Sequence, residues 1–324
     1  YVVRSVAIAE RTGDRDNRGM GMAMLAVYIA IASLGRYGDR AIAAAAQSGG
    51  AYPRMVAAGA NGILSTIRGD WGGMRRSHGE GHALCMKLGL QKSWEASFLR
   101  TYEALGEYFA GEPARAIAIL DELAETSDDL FARALIGSYR ARALLLDGRI
   151  DAARAAERDV ASVRVAQRGL PEIYRQLLAA ELALVDGDWQ RAETLGHELA
   201  RHARAAWLGA IPAVSAMIDV LIATAEIGRG DRDSALRARS RARGLERRGR
   251  VSFYSVTALR LRAMAELRLG NTGEANRVLL QASVQATQRG SKLDRLGIER
   301  LRGNAVDLGS LALAVRWSTG GIVY

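Results

Sequence analysis

Apolar residues are gathered along this chain into helix-length runs that stop, seven times, at a glycine and restart behind it: Gly35, Gly69, Gly111, Gly148, Gly187, Gly230 and Gly270. The intervals are 34, 42, 37, 39, 43 and 40 residues. A recurrence of roughly 20 to 50 residues in helix-favouring sequence marks stacked helix pairs. Counted from each glycine, position +5 is Ala116, Ala153, Ala192, Ala235 or Ala275 in five units, with Arg40 and Met74 as exceptions. Position −7 is Gly62, Ala104, Ala141, Ala180, Ala223 or Ala263, and only Tyr28 departs. Small groups at these two places let antiparallel helices approach closely where they cross. Tyr37, Trp71, Ile150 and Trp189 put a bulky group at +2, suited to filling the wedge beside the turn. The glycine supplies the positive φ that ends the first helix. Asp70, Glu112, Asp188, Asp231 and Asn271 follow it in five units. Asp or Asn there suits an N-cap, and an acid suits the positive end of the next helix.

The pattern predicts an all-α chain. First helices of each pair are expected near 16–34, 51–68, 92–110, 129–147, 171–186, 209–229 and 250–269. Second helices are expected near 39–48, 71–88, 113–125, 150–167, 189–205, 232–246 and 273–288. Residues 1–12 read as a truncated helix of an upstream repeat, so the chain is expected to be a segment of a longer protein. The array itself spans 13–290. Residues 291–324 are expected to hold one capping helix, near 292–316, over the end of the stack, followed by a frayed tail from Ser318 to Gly321.

Ala180, Gly187, Trp189 and Ala192 carry the whole pattern within one unit. Over about residues 15 to 290 the chain resembles the tetratricopeptide repeat family. The resemblance implies a right-handed α-solenoid of about seven helix–turn–helix repeats. The family's usual period is about 34 residues, and five of the six intervals here are longer. That resembles the longer-armed variety in bacterial signalling ATPases of the maltose-regulon activator type and in kinase–ATPase fusions. The implied role is a non-catalytic protein–protein interaction or sensor/scaffold module within a larger bacterial signalling protein.

In such an array the first helices line a concave groove that takes a protein or peptide partner, as a helix or an extended segment. Carried onto this chain, the groove positions are Phe98, Leu105, Tyr108, Phe109, Leu135, Arg142 and Leu145, then Tyr174, Leu177, Glu181, Leu184, Val185, Met217 and Val220. These side chains either form a contiguous apolar patch open to a partner, or are buried against neighbouring units because longer repeats coil tightly.

Composition supports the helical reading: 49% hydrophobic residues, 6% aromatic and four Pro in 324 residues, rich in the helix formers Ala, Leu and Arg. The formal charge of +10 and isoelectric point near 10.1 direct attention to nucleic acid. Of the 45 basic residues, however, only Lys87, Lys92 and Lys292 are Lys, leaving 42 Arg. A GC-rich genome gives that skew through codon usage alone. The densest run is Arg237, Arg239, Arg241, Arg243, Arg247, Arg248 and Arg250, on the second helix of the sixth unit. A phosphate backbone or an acidic protein tail could bind it by charge neutralisation. The run itself lacks aromatics for base stacking, Phe253 and Tyr254 coming only after it. A solvated helix surface is the plainer reading, and nucleic acid or an acidic partner the alternative.

No phosphate-binding Gly-Lys loop, His-Arg-Asp or Asp-Phe-Gly motif occurs, so kinase or ATPase chemistry would lie outside this segment. No cofactor is expected. His78, His82 and Cys85 are spaced i, i+4, i+7, a geometry that can hold zinc. Gly79 and Gly81 weaken that helix and no fourth ligand is evident, so this group, with Glu80, reads as an exposed polar face. His197 and His202 point different ways and are given no role. Cys85 is the only cysteine, which excludes an intrachain disulfide and fits a reducing, cytoplasmic setting. The uncharged stretch Gly19–Gly35, 17 residues, is at the short limit for a membrane span and in register with the repeat, so it reads as a buried helix.

Overall fold

The computed structural model describes residues 2–31, 35–47, 50–126, 130–162, 169–248 and 252–318, and among them it holds seventeen α-helices and no strand. In chain order they are α1 (Val2–Thr12), α2 (Arg15–Ile31), α3 (Gly35–Ala46), α4 (Ala51–Arg68), α5 (Trp71–Lys87) and α6 (Trp94–Ala110). There follow α7 (Pro113–Thr126), α8 (Leu130–Leu146), α9 (Ile150–Ser162), α10 (Leu170–Val185), α11 (Trp189–Ala205) and α12 (Pro212–Arg229). The last are α13 (Arg232–Arg248), α14 (Tyr254–Arg268), α15 (Thr272–Arg289), α16 (Lys292–Leu301) and α17 (Ala312–Ser318). None of the described helices is long and apolar enough to cross a membrane.

Each helix packs on its sequence neighbours, and every even-numbered helix from α2 to α14 also touches the next even-numbered one. The first helices of the pairs therefore form a continuous inner layer. The small residues stand at the crossings as expected: Ala104, Ala141, Ala180, Ala223 and Ala263, and facing them Ala116, Ala153, Ala192 and Ala275, are fully buried. Six of the seven turn glycines have φ between 73° and 82°; Gly35 instead opens α3. Asp70, Asp188 and Asp231 cap the following helices by accepting from the backbone N–H of Gly73, Arg191 and Ser234 at 2.8, 3.1 and 2.8 Å.

Because Ala180 is fully buried in the α10–α11 pair, Ala180→Leu forces the two helices apart. Overpacking of this kind costs about 1–3 kcal/mol, read as a lower midpoint in urea unfolding. An unchanged midpoint would show that the crossing is not where the small residues stand.

Three units carry a glutamate four residues before the turn glycine: Glu107, Glu226 and Glu266. All three are buried, and arginines from flanking second helices reach them: Arg75 and Arg115, Arg237 and Arg241, Arg239 and Arg243. The Arg density of α13 thus answers carboxylates on the helices beside it.

The C-terminal part departs from expectation. Gly303, at φ 79°, ends α16, and the Asn304 N–H closes that turn on the Glu299 carbonyl. Two helices therefore stand where one was expected. α16 extends the stack on α14 and α15, while α17 folds back onto α8 and α10 through Leu311, Ala314 and Val315. Ser318 is buried and accepts from Arg260, so it is not frayed; Thr319–Gly321 lie outside the described residues.

The chain also closes on itself. The Phe253 N–H donates to the Ile67 carbonyl at 2.9 Å, and Arg289 Nη1 to the Arg68 carbonyl at 3.0 Å. Lys292 Nζ stands 3.3 Å from Glu112, and the rings of Trp71 and Phe253 lie 5.8 Å apart. Turns of the second and third units therefore meet the start of α14 and the α15–α16 junction.

Candidate ligand chamber

Closure partly encloses the inner face of the helix layer. Two adjoining compartments of about 180 and 110 Å³ lie there, and Phe109, Met217, Phe253 and Tyr254 belong to the walls of both. The larger is apolar and aromatic, with Leu105, Leu135 and Val214 beside Tyr102, Tyr139 and Tyr174. The Tyr139 and Tyr174 rings meet edge to face at 4.6 Å, a favourable aromatic geometry.

The smaller compartment is amphipathic. Arg142 from α8 and Glu181 from α10 form a bidentate pair, Nε and Nη2 each donating at 2.8 Å. Nη2 also donates to the Tyr108 hydroxyl at 3.2 Å, and the guanidinium carbon sits 4.8 Å from the Tyr108 ring centre and 5.9 Å from that of Tyr174. Arg142 Nη1 is buried without a hydrogen-bond partner. Burial alone would favour losing the Arg142 proton, but the Glu181 carboxylate outweighs it and holds the guanidinium pKa well above its ordinary value. Burial pushes the phenols of Tyr108, Tyr139, Tyr174 and Tyr254 upward, so all four stay neutral.

A second pair completes this compartment. Arg260 of α14 donates from Nε to Asp294 at 2.9 Å, and from Nη1 to the Ser318 carbonyl and hydroxyl at 2.9 and 3.0 Å. Thr257 and Ser291 hydroxyls donate to the other Asp294 oxygen at 2.9 and 3.0 Å. Both carboxylates are thus satisfied, as buried charges must be.

The groove positions divide accordingly. Leu105, Leu135 and Tyr174 face the larger compartment; Tyr108, Arg142, Glu181, Leu184 and Val220 the smaller; Phe109 and Met217 both. Leu145 and Leu177 are buried in the surrounding core, Val185 packs at its edge, and Phe98 packs on Tyr102 with ring centres 4.7 Å apart. None of these residues is exposed, though Phe98, Leu105, Tyr108, Phe109, Leu135, Val185 and Val220 are only half-buried, which fits the second of the two readings: tight coiling brings the second and third units against α14 and the α15–α16 junction over them. Sequence reasoning missed Phe253, Tyr254, Thr257, Arg260, Asp294 and Ser318. Their place inside depends on closure and on the return of α17.

The basic run is largely paired. Arg237 reaches Glu193 and Glu226, Arg241 reaches Asp219 and Glu226, Arg243 reaches Glu266, and Arg248 reaches Asp219. Arg247 is exposed, and Arg250 lies outside the described residues. Glu193, His197 and Glu226 bring ligand atoms within 4.8 Å of one another. Both carboxylates there already serve arginines, Arg229 among them, which removes the negative charge a cation would need.

His78 and Cys85 are core residues, correcting the exposed polar face expected of them. The thiol donates to the Leu90 carbonyl at 3.3 Å, and the His78 ring occupies space opposite Gly62, where a Cβ would lie 2.4 Å from Nε2. Neither His78 ring nitrogen has a partner, and burial lowers its pKa from 6.5 to about 4. The folded protein therefore keeps His78 neutral where the unfolded chain protonates it. Stability is expected to fall as pH drops from 6.5 towards 4, by up to about 1.4 kcal/mol per pH unit from this group. Comparing urea midpoints of wild type and His78→Leu across that range checks it; parallel profiles would contradict it.

Comparison with known proteins finds no family model and no curated relative that matches this sequence.

Proposed function

We propose that the chain is a non-catalytic sensor or scaffold module of a larger signalling protein, and that it binds through its enclosed interior. The reading rests on closure: the backbone bond from Phe253 to Ile67 joins segments nearly two hundred residues apart in sequence, across the chamber they cover. A ligand inside touches helices from α6 to α14 at once, so it binds the closed form better than an opened one. Such differential affinity shifts the balance between the two, and an exposed turn can carry that change to a neighbouring domain.

The test is amide exchange of Phe253 with and without saturating ethylbenzene, an apolar probe of about the chamber's size. Sensing requires slower exchange when the probe is bound. Bound probe with unchanged exchange would leave a passive scaffold and overturn the sensor reading.

A further inference from the structure

We propose that the smaller compartment recognises a small, uncharged, mainly apolar carbonyl compound, whose oxygen accepts from Arg142 Nη1 while its body lies against Phe109, Met217 and Phe253. This deepens the chamber reading given above and rests on it.

Donor geometry carries the first part. A guanidinium offers five N–H donors in a fixed fork and no acceptor. In Arg142 the Nε and Nη2 edge is committed to Glu181 and Tyr108, and the rings of Tyr108 and Tyr174 flank the group. Nη1 is left without a partner and is itself buried, on a side chain only 4% exposed that lines the compartment. A buried donor left unmade is a standing penalty, removed by any ligand that brings an acceptor.

Charge balance carries the second part. Arg142 faces Glu181 and Arg260 faces Asp294, so the compartment is neutral as it stands. A carboxylate ligand would add an uncompensated charge away from water, which is strongly disfavoured. A ketone or ester oxygen needs one donor and brings no proton that must itself find an acceptor.

Size and lining carry the third. The two compartments, about 110 and 180 Å³, bracket the apolar cavity of about 150 Å³ that accommodates benzene. Met217, in the wall common to both, is an unbranched, adaptable side chain that can move to admit a ligand body.

The experiment titrates the full chain with three probes of similar shape, acetophenone, ethylbenzene and benzoate, by calorimetry. Acetophenone is expected to bind at least about tenfold more tightly than ethylbenzene, as a hydrogen bond to a charged donor allows, and benzoate more weakly than acetophenone. In the neutral double variant R142M/E181M the carbonyl preference should vanish while ethylbenzene still binds. Equal binding of acetophenone and ethylbenzene by the wild type, or a preference that survives in the double variant, overturns Arg142 recognition and leaves the chamber reading standing. Tightest binding of benzoate overturns the neutral-ligand assignment. No binding of any probe overturns both the proposal and the chamber reading.

Discussion

Replacing Arg142 with Met should lower the stability of the protein by about 3–5 kcal/mol, the usual consequence of leaving one member of a buried ion pair alone. Glu181 is 9% exposed at its side chain, and both of its oxygens accept from Arg142. Without the guanidinium, its charge must be buried bare or protonated, and the two tyrosine faces lose their cation. The double variant R142M/E181M removes both charges together and is expected to recover most of the loss, because an apolar pair of similar volume fills the same space. Urea unfolding of the two single variants and the double closes the cycle. A single variant as stable as wild type would mean that Arg142 and Glu181 reach water and that the interior is not enclosed.

Arg260→Met should produce a comparable loss, near the lower end of the same range at about 3 kcal/mol, with a different local signature. Asp294 keeps the Thr257 and Ser291 hydroxyls, which softens the effect. The Ser318 carbonyl and hydroxyl, however, lose the guanidinium that holds the end of α17. Amide exchange should therefore rise in α17 ahead of the rest of the fold. Uniform acceleration along the chain, with no lead in α17, would show that Arg260 does not fasten that helix.

The repeat was legible because its information is local. Gly69, Asp70 and Trp71 announce a turn, a cap and a wedge within three residues, and Ala180 and Ala192 mark one helix crossing. Even the buried pair left a trace. Arg142 stands six residues before Gly148 and Glu181 six before Gly187, so equivalent positions on neighbouring inner helices face each other. Tight coiling was one of two readings open in the long repeat period, but the contacts that close the coil were not legible, because they depend on small rotations accumulated over several units and on no single residue. Phe253 gives no sign in the sequence that it will meet Ile67 and Trp71. The return of α17 had a missed signal: Gly303-Asn304 is a helix stop followed by the apolar run Leu311-Ala312-Leu313-Ala314-Val315. The Arg run of α13 misled attention towards external anions, because the buried glutamates it answers lie on other helices.

The most direct check of closure uses the scarcity of lysine. Carbodiimide joins an amine to a carboxylate only where the two touch, and Lys292 Nζ lies 3.3 Å from Glu112 across 180 residues of sequence. Treating the dilute chain and mapping its peptides by mass spectrometry should give an intramolecular Lys292–Glu112 amide. If that amide is missing while Lys292 still reacts with a monofunctional acylating reagent, the third unit and α16 stand apart and the chamber is not closed there.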